Sequence, residues 1–390
     1  MKLIAFYLPQ FHTIPENDEW WGKGFTEWTN VKKAKPLFKN HVQPKVPLDE
    51  NYYNLLDDNV KIWQADLAKK YGIYGFCYYH YWYNGKLLLE KPMEQMLANK
   101  KIDLPFCIMW CNHPWTKSWI GNDKKILISQ KKSYRNEWIE HYNYLKKFFL
   151  DERYIKESNC PLIGIYSPIV LENSKEMLDC WNELAKLDGL NGIKSFTTCG
   201  SYDFDIKKYE SFDYIIEMSM GFAREKLRTQ STNKVFANIF NKLNYLRRRI
   251  YVSIEKYLGI PAINFSPLRA IRNYINSKKV LQYDYDEINN VINNLPPFSK
   301  KSIPSIYVNW DNTSRYGRRG FVFTNYSPEK FEKNLLFMMQ RAKNEYNSEY
   351  LFVSAWNEWA EFSVLEPEKE YGYGYLEAVK RAIEKYCEDK

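Results

Sequence analysis

The chain has 390 residues, of which 45% are hydrophobic; this is enough for a sizeable core and argues against global disorder. Its formal charge is +9, but the segment from Arg224 to Lys256 holds nine Lys and Arg against two Glu. The remainder is nearly balanced, which argues against a general nucleic-acid-binding surface. Aromatic residues make up 17% of the chain, so we expect some to line a cleft, where flat rings suit sugars; a bulky core is the alternative.

Eight short apolar runs alternate with helical patterns along the chain. The predicted strands are residues 2–9, 73–82, 104–110, 162–166, 193–198, 214–218, 306–309 and 350–355. The predicted helices are residues 57–71, 92–99, 136–150, 174–187, 328–346 and 373–387. Residues 10–55 are predicted to form one long functional loop.

Repeated βα units favour a parallel sheet, and eight of them favour a (β/α)₈ TIM barrel, formed as a single domain by residues 1–390. An open doubly wound sheet is the alternative. It would place a Gly-rich phosphate turn after an early strand, and the sequence has none there and no Walker loop.

A long basic insertion, residues 221–303, interrupts the barrel pattern after the sixth strand, with helices predicted near 233–257, 267–277 and 284–293. Apolar residues recur at helical spacing beside Arg247–Arg249. Such a segment could contact an anionic membrane peripherally through Arg224–Lys256. The alternative is a helical hairpin packed on the barrel.

The sequence also predicts what the protein lacks. Residues 1–9 do not resemble a signal peptide, and no apolar segment is long enough to span a membrane, so we expect a cytoplasmic protein, free or peripheral to the inner membrane face. No HExxH motif or paired Cys cluster is present and the five His are scattered, so we expect no metal and no cofactor.

Polar and aromatic residues follow the ends of several predicted strands, which in a TIM barrel share the face that carries the active site. The candidate substrate-binding residues are Tyr7, Gln10, His12, Glu27, Trp28, His80, Trp82, Trp110, Asn112, His113, Asn309, Trp310, Asp311, Trp356, Asn357 and Trp359. Each also has a structural interpretation. A histidine at a strand end can be a satisfied core residue, and an Asp can be a cap or an ion-pair partner. His41 and His141 are interpreted as surface or packing residues, and Glu366 as a solvated loop residue.

Glu358 and Glu361 follow the eighth strand among tryptophans, and they are the candidate catalytic residues. Carboxyl groups beside indole rings lose solvation, which shifts their pKa. A neutral carboxyl that protonates a leaving oxygen, paired with one that accepts a proton or attacks, is the machinery of glycosidic chemistry. Nucleophilic Ser–His–Asp chemistry would require a GxSxG elbow, which is absent.

Three motifs carry a family resemblance: Ala5–His12 (AFYLPQFH), Trp20–Asn30 (WWGKGFTEWTN) and Ala355–Glu361 (AWNEWAE). With them the chain resembles the WbsX-type proteins, described as glycosyltransferases of bacterial surface-polysaccharide loci, whose barrel is similar to glycoside hydrolase family 99.

The resemblance to family 99, which comprises retaining endo-α-mannosidases, implies that Glu358 deprotonates a sugar 2-hydroxyl to give a 1,2-anhydro sugar. It implies that Glu361 acts first as general acid and then as general base. Ala360 stands where those enzymes have His. Because of that departure, the sequence does not decide the substrate. It also leaves open whether the enzyme transfers a sugar or hydrolyses a glycosidic bond.

Two classes of function therefore follow from the sequence. The first is a glycan-acting enzyme, a transferase or an endo-hydrolase, acting on an oligosaccharide or lipid-linked glycan, with a sugar-nucleotide donor as a further option. The second is a glycan-binding barrel without catalysis.

Overall fold

The computed structural model describes residues 1–116, 125–171, 173–200, 206–231 and 279–388. Eight parallel strands form a closed barrel in which each strand pairs with the next and β1 pairs with both β2 and β8. The strands are β1 Lys2–Tyr7, β2 Gly75–Tyr83, β3 Phe106–Trp110, β4 Cys160–Ile165, β5 Lys194–Cys199, β6 Tyr214–Glu217, β7 Ser302–Tyr307 and β8 Tyr350–Ser354. The predicted (β/α)₈ barrel is confirmed.

Helices follow most of the strands and cover the barrel. Those of the described residues are α1 Pro15–Trp21, α2 Glu27–Lys33, α3 Asp58–Lys70, α4 Lys91–Ala98, α5 Arg135–Phe149, α6 Ser174–Leu187, α7 Met220–Ser231, α8 Tyr285–Asn293, α9 Thr313–Tyr316, α10 Pro328–Asn344 and α11 Gly374–Glu388. Local signals explain their limits. Ser327 caps the N-terminus of α10 by accepting from the Lys330 N–H, and Gly72, at φ 87°, follows α3.

Short strands and single helical turns decorate the barrel. The strands are Lys86–Leu88, Trp115–Thr116, Ile126–Ile128, Lys156–Glu157, Leu281–Asp284, Phe321–Thr324, Asn357–Glu358 and Ser363–Val364. The 3₁₀ turns are Leu48–Glu50, Pro168–Val170, Ile206–Tyr209, Gly317–Arg319 and Trp359–Glu361.

The barrel strands are buried on both faces, as expected when helices cover a parallel sheet. Leu3 to Tyr7 of β1 and Leu351 to Val353 of β8 have no exposed surface. These strands therefore appear in the sequence as continuous apolar runs, which is why their positions could be predicted.

The prediction of one long loop over residues 10–55 was wrong, because α1 and α2 lie within it. Pro15 begins α1, and Thr26 caps the N-terminus of α2 in a capping box with Thr29. Each helix has only seven residues, too few for a clear amphipathic period.

The insertion is described in part. It opens with α7 and closes with Leu281–Asp284, which pairs with Phe321–Thr324, and with α8, which confirms the helix predicted near 284–293. The helices predicted near 233–257 and 267–277, and most of the basic segment considered for membrane contact, lie outside the described residues. No helix of the described ranges combines the length and apolar character needed to cross a bilayer.

Candidate active site

A cleft of about 420 Å³ opens at the carboxyl ends of the barrel strands. Both candidate catalytic residues, Glu358 and Glu361, line it. Its other lining side chains include Gln10, Tyr79, Tyr81, Cys111, His113, Tyr166, Arg224, Tyr307, Trp310, Arg315, Tyr316 and Phe321. The cleft is therefore rich in tyrosine, whose rings offer apolar faces and whose hydroxyls offer hydrogen bonds.

Arg315, on α9, connects the two catalytic candidates. Its guanidinium donates to Glu361 Oε1 at 2.7 Å and lies 3.5 Å from Glu358 Oε2. It also bonds the buried Glu27 of α2. One cation thus holds three carboxyl groups, with a tight bond to Glu361 and a loose contact to Glu358.

Burial in this arrangement raises the pKa of both carboxyl groups of the pair. Burial, and then the neighbouring Glu361, raise the pKa of Glu358 from 4.5 to about 8, while Arg315 opposes the rise. Burial also raises the pKa of Glu361, against the closer bond from Arg315. The raised pKa favours the neutral form of Glu358 at neutral pH, while Glu361 accepts a charge-assisted bond from Arg315.

The backbone carrying the pair is fixed on both sides. Asn357 Oδ1 accepts from the Leu8 N–H at 2.7 Å and its Nδ2 donates to the Leu8 carbonyl at 3.0 Å, tying the end of β8 to the end of β1. The Asp311 N–H donates to the Glu361 carbonyl at 2.7 Å. Asn357 thus positions the backbone, which is the structural interpretation of this candidate substrate-binding residue.

Glu366 is the largest departure from the sequence interpretation, which treated it as a solvated loop residue. It is 1% exposed and accepts four hydrogen bonds. The donors are Tyr53 Oη at 2.8 Å, Gln64 Nε2 at 2.6 Å, Trp356 Nε1 at 3.0 Å and Trp359 Nε1 at 2.7 Å. Burial raises its pKa to about 7, and these donors oppose the rise.

The structure therefore places the buried Trp356 and Trp359 against Glu366, to which both indoles donate. Tyr7 belongs to the same interior network, since its hydroxyl donates to Gln64 at 2.6 Å. None of the three lines the cleft; they support its floor.

On β2 the alternation of side chains decides which residues reach the cleft. Tyr79 and Tyr81 line it, whereas the candidates His80 and Trp82 point outward against α5, because neighbouring residues of a strand face opposite sides. His80 Nε2 lies 2.9 Å from His141 Nε2, and Trp82 stacks on His141 at 4.6 Å. Burial lowers the pKa of His80 to about 3, so it stays neutral.

The same alternation acts after β3. Trp110 is buried against His141 and donates to the Trp82 carbonyl at 3.0 Å. Asn112 is also buried and exchanges two hydrogen bonds with the backbone of Ser167, which joins the ends of β3 and β4. His113 does line the cleft, together with Cys111.

The candidates near β1 divide in a similar way. Gln10 lines the cleft, and its Nε2 is buried without a hydrogen-bond partner. His12 is buried, its Nδ1–H donates to the Pro9 carbonyl at 3.0 Å, and burial lowers its pKa to about 4. Trp28 is buried and donates to the Tyr53 carbonyl at 2.8 Å.

After β7, only Trp310 of the three candidates lines the cleft, stacked on Phe321 at 5.6 Å. Asn309 is 1% exposed and its Oδ1 accepts from the Trp310 N–H. Asp311 is buried and accepts from Gln43 and Thr313 beside His41, whose Nε2 lies 2.8 Å away. Burial would raise the pKa of Asp311, but the bonds from His41 and Thr313 outweigh it and lower the pKa.

Sequence reasoning missed Arg315, which organises both catalytic candidates, and the cleft tyrosines. Two of these tyrosines, Tyr79 and Tyr81, could have been found by testing both parities of β2. The pairing of Arg315 with Glu27, 288 positions apart, has no local signal. Within the described ranges, no group of three or more His, Cys, Asp or Glu side chains could hold a metal ion.

Residues 3–379 match the sequence model of the family described as Glycosyltransferase WbsX. The chain belongs to this WbsX family. It is 31% identical over 388 residues to a protein named WxcX, described as uncharacterized, from Xanthomonas campestris pv. campestris (strain ATCC 33913), and 30% identical to WxcX of strain B100. The alignments cover 98% of this WbsX-family chain, which spans about half the length of these relatives (49%).

Two solved structures share the fold of this WbsX-family chain. The GH99 endo-alpha-mannosidase from Bacteroides thetaiotaomicron aligns with a TM-score of 0.52 at 12% identity, covering 99% of this chain and 97% of that one. A glycoside hydrolase-like protein aligns with a TM-score of 0.54 at 12% identity, covering 98% and 93%. At this identity the likeness establishes the barrel alone.

Proposed function

We propose that this chain is a carbohydrate-active enzyme that makes or breaks glycosidic bonds with Glu358 and Glu361 as its acid/base pair. One observation carries the proposal: two carboxyl groups share the Arg315 guanidinium in a tyrosine-lined cleft at the active-site face of a barrel. A glycan-binding protein without catalysis needs no such pair, and the raised pKa of Glu358 is typical of a group that exchanges protons.

The chemistry needs one proton on the pair, and the raised pKa of Glu358 allows the pair to hold a proton at neutral pH. In the roles that the family resemblance implies, Glu358 takes the proton of the 2-hydroxyl as that oxygen bonds to the anomeric carbon. The bond from the anomeric carbon to the leaving oxygen breaks, and Glu361 protonates that oxygen. In the second step an acceptor hydroxyl gives its proton to Glu361, bonds to the anomeric carbon and opens the three-membered ring, and the 2-oxygen regains its proton from Glu358.

Because the pKa of Glu358 is raised to about 8, these roles require that bound substrate leaves Glu358 ionised and Glu361 protonated. An aryl glycoside tests the assignment, because its leaving group departs without protonation. We expect Glu361→Gln to keep the first step on the aryl substrate and lose it on a natural glycan, whereas Glu358→Gln loses both. The reverse pattern would exchange the two roles.

The substrate that we propose is an oligosaccharide or lipid-linked glycan in the assembly of a bacterial surface polysaccharide, such as an O-antigen or capsule, with a sugar-nucleotide or lipid-linked donor. The family description as a glycosyltransferase supports transfer. The second candidate is a retaining endo-α-mannosidase-like hydrolase, which the activity named for the Bacteroides neighbour favours. Ala360, where the resemblance expects His, favours transfer over that reaction.

Mass spectrometry of the polysaccharide made with and without this chain tests the proposal. Loss of a sugar on deletion, restored by the wild type and not by Glu361→Gln, would establish transfer. Longer, uncut glycans on deletion would establish hydrolysis. An unchanged polysaccharide would contradict both.

A further inference from the structure

A second cation, Arg224, lines the same cleft from the start of the second turn of α7. Its guanidinium carbon lies 3.4 Å from the centre of the Phe321 ring and 5.6 Å from that of Tyr283. A hydrogen bond to the Tyr283 side chain also holds it. Since Leu281–Asp284 pairs with Phe321–Thr324, both rings belong to one small sheet, and the guanidinium is fixed before any ligand arrives.

The charge of Arg224 is not neutralised as that of Arg315 is. Among the described residues no carboxylate forms an ion pair with Arg224, and its Nε is buried without a hydrogen-bond partner. The neighbouring Glu225 pairs instead with Arg228 on the same helix. The Tyr283 hydroxyl and the two rings replace only part of the solvation that the half-buried guanidinium has lost, and no carboxylate of the described residues completes it, so an anion arriving in the cleft would be stabilised there.

Stacking leaves the edge of a guanidinium free, and that edge presents the paired donors which fit carboxylate and phosphate oxygens. Met220 and Gly221 line the cleft beside it, so the positive end of the α7 dipole adds to the same potential.

We propose that Arg224 binds an anionic oxygen group, a phosphate or a carboxylate, carried by the glycan that occupies the cleft. This inference rests on the proposed function and deepens it, because it makes the substrate an acidic or phosphorylated sugar rather than a neutral one. Arg224 is a binding residue in this account and takes no part in proton transfer.

Binding of a matched panel to the full chain tests the inference. The probes are methyl α-glucoside as the neutral sugar, glucuronic acid for the carboxylate, glucose 1-phosphate for the phosphate, and inorganic phosphate alone. Isothermal titration or ligand-detected NMR is run on the wild type, Arg224→Gln and Arg224→Lys. Arg228→Gln is the matched control, one turn along the same helix and outside the cleft.

We expect at least one anionic sugar to bind the wild type about tenfold or more tightly than methyl α-glucoside, with a preference that weakens as salt is added. Arg224→Gln should abolish the preference, Arg224→Lys should retain only part of it, and Arg228→Gln should keep it. The anionic sugar that binds more tightly than the neutral one identifies the anionic group as a carboxylate or a phosphate.

An equal affinity for neutral and anionic sugars in the wild type would overturn the inference, as would an unchanged preference in Arg224→Gln. A wild type that binds none of the probes would overturn it too. These binding measurements do not depend on catalytic turnover. The proposed function fails on different evidence, namely unchanged turnover in the Glu358 and Glu361 variants.

Discussion

Replacing Glu358 with Gln keeps the size of the side chain and removes its titration. In the folded protein burial and Glu361 raise the pKa of Glu358 from 4.5 to about 8, whereas the unfolded chain restores the ordinary value. The folded state therefore holds a proton that the unfolded state releases between these values. The stability that the neutral carboxyl contributes is complete below about pH 4.5 and is lost as the pH rises through about 8.

The size of the effect follows from the two pKa values. One pKa unit corresponds to about 1.4 kcal/mol, so the full rise corresponds to about 5 kcal/mol of unfolding free energy. Gln stays neutral at every pH. We therefore expect Glu358→Gln to match the wild type at about pH 4 and to be more stable by several kcal/mol above about pH 8.

Urea unfolding followed by tryptophan fluorescence, repeated across this pH range, measures the difference. Buried carboxyls away from the pair, such as Glu366, contribute the same slope to both proteins and cancel. The control is Glu183→Gln, an exposed residue paired with Arg135, which should leave the pH profile unchanged. Parallel profiles of unfolding free energy against pH for the wild type and Glu358→Gln would show that Glu358 ionises normally. The proposal that the pair holds a proton at neutral pH would then have no support.

Three further substitutions test the supports of the site by urea unfolding at neutral pH. Arg315→Met leaves three carboxyls without their cation and should cost about 3–5 kcal/mol, with no comparable loss for the exposed control Arg135→Met. Glu366→Ala leaves four buried donors unpaired and should cost about 4 kcal/mol or more; a loss no larger than for a surface residue would contradict its role. Asn357→Ala removes both bonds to Leu8 and should cost about 2–3 kcal/mol, whereas an unchanged midpoint would mean that β8 is held elsewhere.

The barrel could be predicted because its strands are buried on both faces and so appear as apolar runs at regular spacing. The α1 and α2 helices could not, since seven residues give too weak a period. Glu358 and Glu361 were proposed because carboxyl groups beside indole rings lose solvation, and the structure places both in the cleft.

The remaining site residues depended on information that the sequence does not carry locally. The sequence analysis named His80 and Trp82, but the cleft is lined by Tyr79 and Tyr81, which point to the opposite face of the same strand. Treating Glu366 as solvated failed because its donors come from three separate segments. Arg315 went unassigned because its partners meet only when the chain has folded. Side chains buried beneath a site resemble side chains within it, since both sets are polar and aromatic and follow strand ends.

Turnover by the purified chain tests the central claim most directly. The substrate is the glycan that accumulates when the chain is deleted, and the proteins are the wild type, Glu358→Gln, Glu361→Gln and the surface control Glu183→Gln. Each protein is first shown to be folded by its urea midpoint. We predict that both site variants lose about a hundredfold or more in kcat while the control retains wild-type activity. Equal turnover in all four proteins would contradict the assignment of Glu358 and Glu361 as the acid/base pair.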